Sequence, residues 1–397
     1  MRIINLGTYP PKQCGIAAFS SDLSAQLRRL GHTVDIIAVS DQSYPYIYPP
    51  EVLFEIRQDE PSDYLRAAQR IEQYAPDAVL IQHEYGIYGG ECGELILKIV
   101  EELHKTPIPC FMVAHTVLSS PGWKQQSIFW QLSQRVQRII TMNEQSRRIL
   151  EEVYGIPREK TVYIPHGVPD FPSENRQVLK HRYGLDGKKI VSTFGLIGPG
   201  KGLELGLSAF SMIARNHPDT CYLILGETHP MLLKNEGESY RERLQQQVEE
   251  SNLNEQVLFV NHFLSEQELG DYLHLTDVYF SPYPNLEQSV SGTMAFAIGC
   301  GCAIVSTPYA YATENLSGGY GLLSRSVSAE ELASLLAAAL DDELLRGTLQ
   351  QKAFERGKNW HWSTVARRYV HCLETTGLYT PLSNLSEKGA KPFHAEL

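Results

Sequence analysis

Four short stretches hold the residue types that could grip an anion or a polyol. In the first, Cys14-Gly15-Ile16 lies between a strand-like run and a helix-like one. A glycine turn opening a helix leaves backbone N–H groups free at a positive dipole end, which suits an anion. A plain strand–helix connection would read the same way. The second stretch, Phe194 to Gly202, sets Gly195, Gly198 and Gly200 just ahead of Lys201. Glycines let backbone approach a ligand closely, and an ammonium at a helix start would hold diphosphate oxygens strongly. In the third, Ser291-Gly292-Thr293 precedes an apolar helix and offers N–H and hydroxyl donors to phosphate. Ser291 could equally be only an N-cap. Just before it, Glu287 and Gln288 fall where a strand ends, within reach of a sugar hydroxyl. The fourth group is His83-Glu84-Tyr85 and His115, polar residues that follow two apolar runs. Clefts form at the carboxyl ends of parallel strands. A lone histidine is commonly structural, but two on one edge point to a site.

Several familiar chemistries are excluded. Gly7 and Gly15 stand too far apart for the three-glycine dinucleotide fingerprint. Gly202-Leu203 after Lys201 breaks the Walker pattern, which needs Ser or Thr. No Asp-x-Asp pair occurs in a suitable loop, and none of the seven cysteines makes a Cys-x-x-Cys pair, so no metal or other cofactor is expected. A formal net charge of −11 argues against a nucleic-acid partner held through phosphates. Gln131–Glu152 holds four arginines but also acids, and reads as a solvated helix face rather than a lipid-docking one. No apolar run approaches the roughly 20 residues of a membrane span. Met1–Leu6 is too short for a signal peptide and reads as a first strand. The expected setting is the cytoplasm, with reduced thiols.

The elements that must position these residues alternate along the chain. Strands are predicted at Arg2–Leu6, Thr33–Ala38, Ala78–Gln82, Cys110–Ala114, Arg138–Met142 and Val162–Ile164. Helices fall between them, at Ala17–Leu30, Tyr64–Gln73, Glu91–Glu102 and Glu144–Tyr154. Pro165, Gly167, Pro169 and Pro172 then break the pattern. It restarts with strands at Ile190–Thr193, Cys221–Leu225, Val257–Val260, Val278–Phe280 and Ala303–Ser306. Their helices are Leu203–Asn216, Tyr240–Ser251, Ser265–Leu275, Ser291–Ile298 and Ala329–Leu340. At 397 residues, two domains are the default. The reading is α/β: two tandem Rossmann-like, doubly wound units, residues 1–170 and 171–359, facing each other across a cleft. A last helix is predicted at Trp360–Glu374, with a frayed tail beyond Tyr379.

These pieces, in this order, resemble the retaining glycosyltransferases of family 4, which have the two-Rossmann GT-B architecture. The likeness spans almost the whole chain. Ile164-Pro165-His166-Gly167-Val168 looks like the family's Ile-Pro-Asn-Gly-Val, and Gly195 through Lys201-Gly202 like its Gly-Arg-…-Lys-Gly loop. Ala297 to Ser306 is similar to its Ala-x-Gly-x-Pro-Val-Val run, Cys14-Gly15-Ile16 to its N-terminal glycine loop, and His115 to its cleft histidine. The resemblance implies a nucleotide-sugar donor held mainly by the second domain, an acceptor sugar or glycoconjugate held by the first, and a C-terminal helix crossing back. It implies catalysis by His115, Lys201 and Glu287 without a metal. His83, Glu84 and Tyr85 would meet the acceptor, and Gly15, Ile16, Gly195, Gly198, Gly200, Gln288, Ser291, Gly292 and Thr293 the donor. Two departures stand out. The family's diphosphate arginine is Leu196, and its two cleft glutamates map to Gln288 and Phe296. Three outcomes follow: a donor held differently, a sugar phosphorylase, or a nucleotide-sugar binder without catalysis. The intact glycine loops favour the first. The base, sugar, acceptor and oligomeric state are left open.

Overall fold

The computed structural model describes residues 1–41, 45–172 and 174–375. Its first parallel sheet takes β1 (Arg2–Gly7), β2 (Thr33–Ser40), β3 (Val52–Arg57), β4 (Ala78–His83), β5 (Cys110–Ala114), β6 (Arg138–Thr141) and β7 (Thr161–Tyr163), ordered β3-β2-β1-β4-β5-β6-β7. The second takes β8 (Lys189–Phe194), β9 (Thr220–Leu225), β10 (Val257–Val260), β11 (Val278–Ser281), β12 (Ala303–Ser306) and β13 (Leu322–Leu323), ordered β10-β9-β8-β11-β12-β13. Every pairing is parallel. Strands such as β4 and β5 are buried along their whole length, as expected where helices cover both faces of a sheet. Strand order reverses at β1/β4 and at β8/β11, and such switch points open crevices at the carboxyl ends. The two-unit α/β architecture read from the sequence is the one observed.

The last helix, Trp362–Thr375, buries Trp362, Val365, Ala366, Tyr369, Cys372 and Leu373. That spacing is one helical stripe, and it packs with Ile3, Phe19, Leu23 and Leu27 of the first domain. Gly167 permits the crossing: a Cβ there would sit 2.1 Å from the Trp362 ring.

Some expectations need correction. The helix expected at Glu91–Glu102 begins only at Ile96, because Gly90 and Gly93 adopt φ of +88° and +78° and hold the preceding residues in turns. The Gln131–Glu152 stretch is not one helix face. It is the end of a helix (Trp123–Arg135), the strand β6 and a second helix (Glu144–Glu152). Its arginines are thereby dispersed, with Arg135 near Glu101 and Arg147 on Glu144. Strands β3 and β13 and the Glu343–Gly357 helix were not anticipated. The tail beyond Tyr379 lies outside the described residues.

Candidate active site

The carboxyl edges of the two sheets enclose a cavity of about 540 Å³. A lobe of about 370 Å³ adjoins it, and the two share Gly15, Phe194, Lys201, Thr293 and Phe296. Gly15 and Gly292, the first residues of their helices, face this space from opposite domains. Cys14 caps the first helix, its Sγ accepting from Ala17 N at 3.3 Å, and Ser291 caps the second, its Oγ accepting from Met294 N at 3.3 Å. Two helix N-termini thus aim positive dipole ends into one cavity.

Lys201 ends a short 3₁₀ turn, and its position depends on the glycines around it. Gly202 has φ +62°, and a Cβ there would lie 2.1 Å from Pro282 O. Gly195 has φ +126°, and a Cβ would stand 3.2 Å from Lys201 Nζ. The ammonium donates to Tyr283 Oη at 2.6 Å and lies 4.7 Å from that ring's centre. The Tyr283 hydroxyl also meets Thr293 Oγ1 at 2.8 Å, and Thr293 meets Ser291 Oγ at 3.1 Å. Burial opposes ionisation of Tyr283, but the Lys201 charge and these bonds hold its pKa below the ordinary phenol value. The result is a preorganised cation and donor row on the second-domain wall.

On the first-domain wall, His115 Nε2 meets Gln82 Oε1 at 2.8 Å. Burial, with the nearby His166 and His83, pulls its pKa down to about 3, so it is neutral. Glu84 accepts from Thr116 Oγ1 and from Tyr85 N at 3.0 Å, and burial raises its pKa. At the domain junction, His166 Nδ1 donates to Gly167 O at 2.7 Å, leaving Nε2 as an acceptor beside Gly292. Burial lowers the His166 pKa to about 4.

Of the residues singled out in the sequence, Gly15, Ile16, Glu84, His115, Lys201, Gln288, Ser291, Gly292 and Thr293 line the cavity, and Gly195 lines the adjoining lobe. Five do not. Gly198 is buried against Leu232 and Gly200 faces outward on the 3₁₀ turn, so both shape the loop rather than touch the cavity. Glu287 is exposed at the rim, accepting from Ser119 Oγ at 2.6 Å. His83 is fully buried, its ring edge-on to Tyr85 and Phe129. Tyr85 turns to Tyr154 Oη at 3.3 Å. The period-two alternation of side chains explains the last two, since neighbours beyond a strand point different ways. Lining residues not anticipated include Thr8, Lys12, Asp22, Tyr283 and His166. Tyr283 stands two residues beyond the end of β11, and that carboxyl-end position was the available signal. Asp22 lies within a helix and gave none. Burial and Glu266 raise its pKa to about 7, against a bond from Trp362 Nε1 at 3.3 Å.

Family models match the two halves in turn: Glycosyltransferase Family 4 over residues 14–170, and Glycosyl transferases group 1 over residues 175–360. Together they take in most of the chain, which belongs to the family 4 glycosyltransferases. The chain is 23% identical to mannosylfructose-phosphate synthase of Agrobacterium fabrum over 57% of its own length and 50% of the relative's. It is 24% identical to phosphatidyl-myo-inositol mannosyltransferase of Mycolicibacterium smegmatis over 59% of its length and 56% of the relative's. The matches thus span about half of each of these relatives. Among solved structures, a Rickettsia africae glycosyltransferase superposes with a TM-score of 0.76 at 14% identity, covering 96% of this chain and 99% of that one. Anabaena HepE with UDP-glucose gives 0.72 at 17% identity, covering 94% and 100%. These likenesses establish the GT-B fold. No helix among the described residues is long and apolar enough to cross a membrane.

Proposed function

We propose that this transferase is a retaining enzyme that moves a sugar from a nucleotide-sugar donor to a hydroxyl of a sugar or glycoconjugate acceptor. The observation that carries the reading is the convergence of Lys201 and two helix N-termini, opening at Gly15 and Gly292, on one cavity between the sheets. When the bond from the sugar's C1 to the donor phosphate breaks, negative charge grows on the leaving oxygen. Preorganised cations and N–H donors aimed at that charge lower the barrier. Lys201 and the Gly292–Thr293 end of the second helix supply them. The acceptor oxygen bonds to C1 on the face the phosphate leaves, and its proton passes to the departing phosphate. His115, neutral and buried, orients the donor sugar. Lys201 provides the neutralising charge, so we propose that no metal takes part. The first-domain wall around Glu84 and Thr116 meets the acceptor. We place the enzyme in the cytoplasm, where buried thiols such as Cys110 and Cys302 stay reduced. The relatives' names support a hexose donor.

A panel of UDP-, GDP- and ADP-sugars, followed first by thermal shift and then by release of nucleoside diphosphate, tests the reading. A ligand at a hundred times its Kd should stabilise the native state by about 2.7 kcal/mol. Release should be slow with the correct donor alone and faster with an acceptor. Phosphate-dependent formation of a sugar 1-phosphate without nucleotide would count against it.

A further inference from the structure

The loop that lines the cavity ahead of Gly292 is held from the other domain. Asn143, buried between β6 and the Glu144–Glu152 helix, donates its Nδ2 to Ser289 O. The same side chain caps its own helix, Oδ1 accepting from Ser146 N at 2.6 Å. A second tie runs through Glu314. Its two oxygens accept from Glu144 N at 2.7 Å and Gln145 N at 2.8 Å, the free N–H groups of that first-domain helix. Glu314 belongs to the short helix Ala310–Leu316 of the second domain. The start of this helix holds the loop, with Ala310 N donating to Leu286 O at 2.8 Å and Tyr311 N to Gln288 O at 3.0 Å. Between these anchors, Val290 packs on the first-domain cluster that contains Ile164 and Trp362.

We propose that Asn143 and Glu314 are positioning residues: they clamp the Gln288–Thr293 loop to the first domain, so that domain closure and the loop's grip on the donor phosphates are one event. The inference rests on the nucleotide-sugar reading. Its physical basis is that a carbonyl and a helix end, each satisfied across the cleft, fix the loop only while the domains are together. Opening the cleft would leave Ser289 O and the helix N–H groups to water and release the loop. By linkage, a ligand that needs the loop in place must favour closure to the same extent.

Asparagine and aspartate cap helices about equally well, and this separates clamping from folding. Asn143→Asp keeps the cap but cannot donate to Ser289 O. The experiment is calorimetric titration of UDP, GDP and ADP into wild type, Asn143→Asp, Glu314→Gln and the double variant, with a melting curve for each. Affinity for whichever diphosphate binds should fall about tenfold in Asn143→Asp, the scale of one lost hydrogen bond to a buried group, with Tm within about 2 °C. The double variant should lose less than the product of the single losses, because both ties act on one loop. Wild-type affinity in Asn143→Asp, whether or not its melting point falls, would overturn the clamp and leave the functional reading standing. If no diphosphate binds even the wild type, the nucleotide-sugar reading fails, and the clamp with it.

Discussion

Gln82 Oε1 stands 2.8 Å from His115 Nε2, and the rest of the chain of bonds fixes which atom carries the proton. Gln82 Nε2 donates to Asn5 Oδ1 at 2.9 Å, and Asn5 Nδ2 donates to Ser24 Oγ at 3.0 Å and to the carbonyl of Ser20 at 3.3 Å. A carbonyl only accepts, so the direction is set from that end. His115 therefore keeps its proton on Nε2 and presents the Nδ1 lone pair as an acceptor. With its pKa near 3, this state persists across the physiological range.

Gln82→Glu should reverse this arrangement. A carboxylate beside Nε2 favours imidazolium, raising the His115 pKa and turning Nδ1 into a donor. The predicted result is a loss in kcat/KM of about 10- to 100-fold, as for a misplaced catalytic hydrogen bond. The acid limb of the pH–rate profile should also move up toward neutrality. A profile identical to wild type would show that the Nδ1 lone pair has no role.

Lys201→Ala should cost more than a typical phosphate contact, because Leu196 leaves the loop without a second cation. The expected fall in kcat/KM is on the order of 10²–10³-fold, or ~2.7–4 kcal/mol, with kcat falling as well as KM rising. The contact with Tyr283 adds a consequence not visible in the sequence, where the lysine reads as an exposed helix start. Removing the ammonium strips a charge-assisted bond from a buried phenol, so a drop of about 1–3 kcal/mol in stability accompanies the kinetic loss. Tyr283→Phe should show the stability cost with a smaller kinetic one. Kinetics and melting temperatures of both variants check this, and near-normal activity in Lys201→Ala would remove the donor-site assignment.

Gly202→Ala tests how tightly the backbone places that lysine. The left-handed conformation and the collision with Pro282 O act together, so we expect a loss of about 2–4 kcal/mol of stability. For domains of this size that lowers Tm by several degrees, readable by calorimetry. Gly200→Ala, where nothing lies within 4 Å, is the matched control and should melt within about 1 °C of wild type.

The contrast between these glycines shows what the sequence could convey. Alternating apolar runs announced the parallel strands because burial on both faces demands them, and β5, β10 and β12 fall where the runs predicted. The glycine loops around Gly15 and Lys201 were legible as cavity-lining because backbone N–H groups and a lysine act close to their own place in the chain. Glu287 and Tyr85 were misplaced for the opposite reason. Each was assigned from the strand it follows, but its direction is set by a distant partner, Ser119 in one case and Tyr154 in the other. Asn143 and Glu314 gave no signal for the same reason: their partners lie well over a hundred residues away.

His83 and Asp22 make opposite predictions for pH. Burial lowers the His83 pKa to about 4, below the 6.5 of an unfolded histidine. As pH falls through 6.5 the unfolded chain takes up a proton that the folded protein refuses, so the stability from this group is present above 6.5 and lost toward 4. Asp22 is raised to about 7, from 3.8. The folded state holds its proton through that window, so its contribution is present below 3.8 and lost as pH rises through 7. His83→Phe should therefore gain on wild type as pH falls from 6.5 to 4, by up to about 1.4 kcal/mol per pH unit. The same change removes a buried Nδ1 that has no partner. Asp22→Asn should instead gain on wild type as pH rises from 4 to 7, since it cannot ionise against Glu266 across the cleft. Chemical denaturation of the three proteins at pH 4.5, 5.5, 6.5 and 7.5 gives both differences. If the two curves run parallel to wild type, the buried states assigned to His83 and Asp22 are wrong, and the neutral cavity wall inferred around His115 loses its support.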